Sequence, residues 1–351
     1  ADAVSVATLP SPDAMSYWTA SRVVPDTINE FPLFTFLNGE LHPHVMSPPF
    51  LLLVAGVGFA YYLTPRDDTL RRRALVFGVT PVLAGVLVLV NTWSFPAAVG
   101  LVALAVLFAE APPAGLLPRH VARSLPTDGG PAGEAARLGV TLLVAAAVGF
   151  LGLLWALPFV LGPVTGGPST SVGLLPPRSG LVPLVLVHGW FLLLFGLYLW
   201  ARSGDADLPA GWQRWGVLAA VAVVVLGLLV KAAVVALVLP LLALAWLLLR
   251  RDGDVGYETV LLVAGAGLVL LVEFVFVDEM AGPGRLNTVF KVYMQVWVLW
   301  SVGAGVATAT LLRNRRSIRT AVALSLGRFR SGRFRLQHGH RLVAPVLATL
   351  L

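Results

Sequence analysis

The chain has 351 residues, 57% hydrophobic and only 12% charged, with 35 Gly, 25 Pro, no Cys and a formal charge of +7. A soluble domain carries about 25% charged residues, so composition excludes a soluble enzyme, a disordered protein, a disulfide scaffold and a zinc finger. The surplus charge sits in the tail: Arg313–Leu351 holds nine Arg and no Asp or Glu, which leaves the body at −2. No nucleic-acid partner is therefore expected, and membrane lipid is.

The expected fold class is all-α, a polytopic membrane helix bundle with about nine transmembrane helices, since a bilayer core of about 30 Å takes about 20 apolar residues per crossing. In chain order the stretches are Val45–Leu63, Ala74–Val90, Phe95–Ala109, Leu138–Leu161, Leu181–Ala201, Trp215–Val230, Ala232–Leu249, Tyr257–Val277 and Phe290–Leu312. Several are apolar all round, as helices in lipid or in a buried bundle are. Lys231 splits a run too long for one crossing and reads as the turn of a tight helical hairpin; the competing reading is a buried functional Lys. The chain divides into three regions: an extracytoplasmic segment, 1–44, the bundle, 45–312, and a basic tail, 313–351.

Loop charge alternates along the chain. One set of loops carries fifteen basic residues, among them Arg66, Arg71–Arg73, Arg119, Arg123, Arg137, Arg202, Arg214, Arg250 and Arg251; the other carries Arg22, Arg178, Lys231, Arg285 and Lys291. Positive loops stay cytoplasmic. The expected placement is the cell membrane, multi-pass, with the N-terminal segment outside and the tail cytoplasmic. The inner loops read as generic solvated connectors. The first 44 residues carry no export signal, so an earlier part of a longer protein is expected. The tail interleaves Arg328, Arg330, Arg333 and Arg335 with Phe329 and Phe334, which suits anionic lipid or a coding sequence that is not native.

Chemistry gathers on the outer face. In Glu40-Leu41-His42-Pro43-His44, Pro43 biases His42 toward an extended backbone. There, residues two apart point the same way, so Glu40, His42 and His44 converge on a divalent metal (Mg or Mn) or a proton; the alternative is interfacial polar residues capping the first span. Glu273 lies in the apolar helix Leu268–Val277, where an ionisable group needs a partner or a polar cavity. Arg285 and Lys291 are its candidate partners and the best candidates for binding an anionic phosphate. Their alternative is ordinary charge flanking a helix start. His188, alone in an apolar helix, reads as a helix–helix partner. The tryptophans read as an interfacial belt.

The stretches Tyr17–Arg22, Ile28–Pro49 (INEFPLFTFLNGELHPHVMSPP), Asn91–Pro96 (NTWSFP) and Leu271–Trp297, with its core LNTVFKVYMQVW, resemble the YYY membrane protein family of archaea and Chloroflexi, whose function is unknown. Where Glu40 stands, that family more often has Asp. The family in turn resembles type C glycosyltransferases, multi-helix enzymes that use lipid-phosphate-linked sugars at an acidic outer-face loop. The resemblance implies part of such a membrane domain and a polyprenyl-phosphate sugar donor. Glu30 or Glu40 would be the base or a metal ligand, and His42 and His44 would bind metal or donor phosphate. Arg22, Arg285, Lys291 and Asn287 would contact substrate, and Glu273 would position a cation. The family's tyrosine-run motif lies upstream and is absent here, so the chain looks like the C-terminal part of the fold. The alternatives are a transporter, in which Glu273 and Lys231 line a path, and a non-catalytic membrane subunit or truncated gene product.

Overall fold

The computed structural model describes residues 18–29, 31–39, 41–126, 130–164, 171–204, 206, 208, 211–251, 253–278 and 284–313. The helices are α1 (Pro32–Asn38), α2 (Pro43–Met46), α3 (Pro48–Tyr62), α4 (Thr69–Arg73), α5 (Thr80–Asn91), α6 (Phe95–Phe108), α7 (Arg119–Ser124), α8 (Pro131–Trp155), α9 (Leu157–Phe159), α10 (Leu181–Ser203), α11 (Trp212–Leu229), α12 (Ala233–Arg250), α13 (Tyr257–Leu271) and α14 (Leu286–Arg313). Two strands, β1 (Ser171–Leu174) and β2 (Val275–Asp278), pair antiparallel with Ser171 opposite Asp278 and Leu174 opposite Val275. Proline starts many of the helices: α1, α2, α3, α5, α6 and α8 carry it at the first or second position. At the starts of α1, α2 and α8 the backbone N–H lost to proline has no intrahelical partner anyway, whereas α3, α5 and α6 lie within longer helical runs.

Among the described residues six helical runs are long and apolar enough to cross a membrane, and Arg214–Leu229 and Tyr257–Leu271 are shorter apolar helices. The chain is a polytopic helical membrane protein. One of the six runs, Thr69–Phe108, is 40 residues long, about twice what one crossing needs. It is a hairpin. Asn91 leaves the helical region, with φ −157° and ψ 95°. The two ends of the run then meet: Arg72 Nη2 donates to Ala111 O (3.3 Å) and Pro112 O (2.9 Å), and Arg73 Nη2 donates to Leu117 O (2.7 Å).

By their internal contacts the residues fall into two compact units, Ala1–Pro177 with Ala264–Leu299, and Arg178–Val263 with Trp300–Leu351. In the first, α5 packs on α8 through small residues. A Cβ on Gly85 would lie 2.8 Å from Trp155 Cβ and 2.9 Å from Gly152 O. Such close approach is how helices associate where lipid removes the hydrophobic drive between them. In the second, α12 packs on α10 and on α11. Lys231 makes the turn of the α11–α12 hairpin with φ +53°, and Gly227 O accepts from Ala232 N at 2.7 Å. His188 meets the Trp300 ring edge-on at 5.5 Å, and Trp300 Nε1 donates to Leu262 O at 3.0 Å. Arg202 pairs with Asp254, and Tyr198 donates to the Glu258 carboxylate.

Two expectations are corrected. The stretch Tyr257–Val277 is not one helix: α13 stops at Leu271, Val272–Phe274 turn, and Val275-Phe276-Val277 run as a strand. The β-branched and aromatic residues of that strand suit a ladder, and Gly173 of β1 makes room for the Phe276 ring, which a Cβ would meet at 2.2 Å. The arginine loops of the first unit are not simply solvated. Arg72 is 1% exposed and donates to Tyr61 Oη at 2.8 Å, with its guanidinium 5.3 Å from that ring. Arg137 donates to Leu107 O (2.7 Å) and Ala109 O (2.5 Å). Cations on the last carbonyls of α6 satisfy orphan acceptors and the negative end of its dipole. The tail beyond Arg313 lies outside the described residues.

Candidate functional site

The first unit thus has an arginine end and, at the opposite ends of the same helices, a cluster built from the three polar motifs. The His-Pro-His segment provides the first wall. His42 is extended (φ −66°, ψ 154°), but Pro43 starts α2, so the stretch is a helix start and not a continuous strand. Val45 N and Met46 N both donate to His42 O, at 2.9 and 3.2 Å. A turn this tight separates the imidazoles by environment: His42 is exposed and His44 buried, with ring centroids 5.8 Å apart. The His44 ring packs on Phe290 of α14 at 4.2 Å.

The second wall is the turn between α5 and α6. Asn91, Ser94 and Ser47 are all buried. Asn91 Nδ2 donates to Ser94 Oγ (2.9 Å) and to Ser47 Oγ (3.2 Å), Ser94 Oγ lies 3.1 Å from Ser47 Oγ, and Ser47 Oγ donates to His44 O (3.2 Å). Buried polar groups need such partners, and this knot fixes the His44 turn against the Asn-Thr-Trp-Ser turn. Trp93 lies between two members of the knot and carries the third connection: its carbonyl accepts from Gln295 Nε2 at 3.3 Å, and its ring lies 4.9 Å from Lys291 Nζ. Gln295 Nε2 also donates to Lys291 O at 3.0 Å. A cation over an indole face is worth about 0.5–1 kcal/mol where it stays hydrated.

The third wall is the start of α14. Glu273 and Arg285 form an ion pair at 2.7 Å with side chains 0% and 7% exposed. Glu273 sits in the turn after α13 rather than in a helix. The pair joins the beginning and the end of the β2 connection. Val277 N donates to Thr288 Oγ1 (3.0 Å) and Gly284 N to Asp278 Oδ1 (2.8 Å), with Gly284 at φ +68°. Asn287 is half-buried in the first turn of α14, and Lys291 is half-buried one turn further on.

The N-terminal segment closes on α14 through the rings of Phe31 and Trp297, 5.6 Å apart. Asn29 shapes it: Oδ1 accepts from Val24 N at 3.0 Å and Nδ2 donates to Ala20 O at 3.1 Å. Arg22 is exposed, stacks on Trp18 at 5.6 Å, and donates to Ser21 O (3.0 Å) and Ser21 Oγ (2.8 Å). Its described contacts stay within its own loop. Glu30 and Glu40 lie outside the described residues.

Of the expected site residues, His44 is joined through Phe290 to the segment bearing Lys291 and Asn287, and Glu273 is joined to Arg285. Trp93, Gln295, Asn91, Ser94 and Ser47 were not singled out for chemistry from the sequence. The available signal was the Asn-Thr-Trp-Ser run between two apolar helices, whose amide and hydroxyls needed buried partners. Among the described residues no group of three His, Cys, Asp or Glu comes together. Two imidazoles are not a Mg site, since Mg takes oxygen ligands, and a catalytic Zn-type site takes three protein ligands. Of the three expected ligands, His42 and His44 lie within the described residues and Glu40 lies outside them.

No curated protein and no solved structure matches the chain. Residues 2–300 match the family described as "Uncharacterized membrane protein (DUF2298)". The three motifs that build the cluster all fall within that match, and the chain belongs to this family.

Proposed function

We propose that the motif cluster is the donor site of an enzyme resembling type C glycosyltransferases, which transfers sugar from a polyprenyl phosphate to a hydroxyl at the outer face of the membrane. The observation that carries this reading is Lys291, a half-buried cation seated on Trp93 where three polar segments meet. An ammonium in a partly dry setting suits a lipid phosphate, whose negative charge grows as it leaves. The acceptor oxygen attacks the sugar's anomeric carbon, and its proton goes to Glu40 or Glu30. The anomeric carbon–phosphate oxygen bond breaks, and the electron pair leaves with the polyprenyl phosphate. His42 adds a donor to the phosphate, Asn287 and Arg22 orient substrate, and Glu273 keeps Arg285 in place.

The test uses the chain in proteoliposomes with a radiolabelled dolichyl-phosphate-linked hexose. Lys291→Met should weaken donor use by a factor of about ten or more, the worth of a hydrogen bond to a charged group. Glu40→Gln should abolish transfer while dolichyl phosphate still binds. Transfer indifferent to both changes would overturn the site, and hexose flux without transfer would identify a transporter instead.

A further inference from the structure

Helix α1 leaves large apolar side chains uncovered. Leu33, Phe36 and Leu37 are 64%, 72% and 70% exposed, and Leu41, just beyond the helix, is 84% exposed. Positions i, i+3 and i+4 share one helix face, so the first three form a stripe. Another side of the helix faces inward: Thr35 is buried. Phe31 packs on Trp297. The stripe is thus turned outward by the fold.

Seven residues reach only about 10 Å along a helix axis, so α1 cannot cross a bilayer. The next helical run, Pro43–Tyr62, is long and apolar enough to do so. Gly39, at φ +67°, ends α1, and α2 and α3 begin within a few residues. Exposed apolar side chains continue along this path as Met46, Leu52 and Leu53, the last two on a membrane-crossing helix. From Phe31 to Gly39 the sequence holds no charged residue. A protein groove is commonly bordered by polar and charged contacts, whereas acyl chains ask only for apolar surface.

We propose that α1 lies in the plane of the membrane at its boundary, with Leu33, Phe36, Leu37 and Leu41 inserted among the acyl chains just below the headgroups. The helix then anchors the His-Pro-His turn at headgroup depth. This placement does not depend on whether the cluster transfers a sugar.

The chain has no Cys, so a single bimane label reports cleanly. Phe36→Cys and, separately, Leu33→Cys are labelled and the full chain is reconstituted in phosphatidylcholine vesicles carrying nitroxide at the headgroup, at acyl carbon 5 or at acyl carbon 12. The expected result is blue-shifted emission, quenched about twofold more strongly by carbon 5 than by carbon 12, as burial of 5–10 Å predicts. Water-like emission that no nitroxide lipid changes would overturn the proposal. So would blue emission that no nitroxide lipid quenches, which means that protein covers the stripe, and so would strongest quenching from carbon 12, which means a deeper insertion. Leu33→Cys reads the same face if Phe36→Cys fails to fold.

Discussion

Glu273 and Arg285 are twelve residues apart in sequence, one in a turn after α13 and the other at the start of α14, and both side chains are buried. A charge at that depth is tolerated because the other is there. Removing one partner of a buried ion pair costs about 3–5 kcal/mol, whereas replacing both with apolar groups of similar volume is close to neutral. Glu273→Ala should therefore destabilise the chain by about that amount in thermal melts in detergent, and Glu273→Leu combined with Arg285→Met should cost less than either single change. Additive losses in the double variant would mean that the two charges do not depend on each other. Glu273 was legible as an isolated charge in an apolar sequence, which must find a partner, with Arg285 and Lys291 as the candidates. The role of Trp93 and Gln295 was not. A tryptophan at a span end looks like any belt residue, and its link to Gln295 bridges 202 positions that no local pattern connects.

At the scale of elements, hydropathy and proline carried most of the information. Pro48, Pro96 and Pro131 stand within the first two positions of α3, α6 and α8, and their fixed φ suits that place. Lys231 was legible as a turn because the apolar run around it is too long for one crossing. The end of α13 was not legible. Val275-Phe276-Val277 is as apolar as the helix before it, and its strand character depends on a partner, β1, about a hundred residues upstream. The α5–α8 contact was equally hidden, because the sequence does not say which glycine meets which helix. It yields a sharp expectation. At Gly85 even a Cβ would approach Gly152 O to 2.9 Å, and backbone cannot yield as a side-chain tip can. Gly85→Ala should cost about 1–3 kcal/mol, read as a lower melting temperature in detergent. Gly100→Ala, also on a spanning helix of the first unit and with nothing within 4 Å of its Cβ, should be close to neutral. Equal losses at the two sites would remove close helix approach as the cause.

For the whole molecule, the expected nine crossings depend on the shorter helices, of which α6 is the most demanding. Its 14 residues extend about 21 Å, less than the hydrocarbon core of about 30 Å. Two observations tie its two ends to opposite ends of the neighbouring helices. The contacts of Arg72 and Arg73 with Ala111, Pro112 and Leu117 put its far end beside the end of α4, while Asn91 and Ser94 join its near end to Ser47 at the start of α3. Loops rich in Arg are expected to stay cytoplasmic, and that expectation predicts the sides. In a chain without Cys, single substitutions read this directly. Thr92→Cys, Arg22→Cys and Lys231→Cys, all exposed positions, should react with a membrane-impermeant maleimide applied to intact cells. Arg71→Cys, Arg123→Cys and Arg251→Cys, also exposed, should react only after the membrane is opened. Labelling of Arg123→Cys from outside, with Arg71→Cys protected, would make α6 a re-entrant segment and remove one crossing. Labelling of both sets from the same side would break the alternation itself, and with it the assignment of the motif cluster to the outer face.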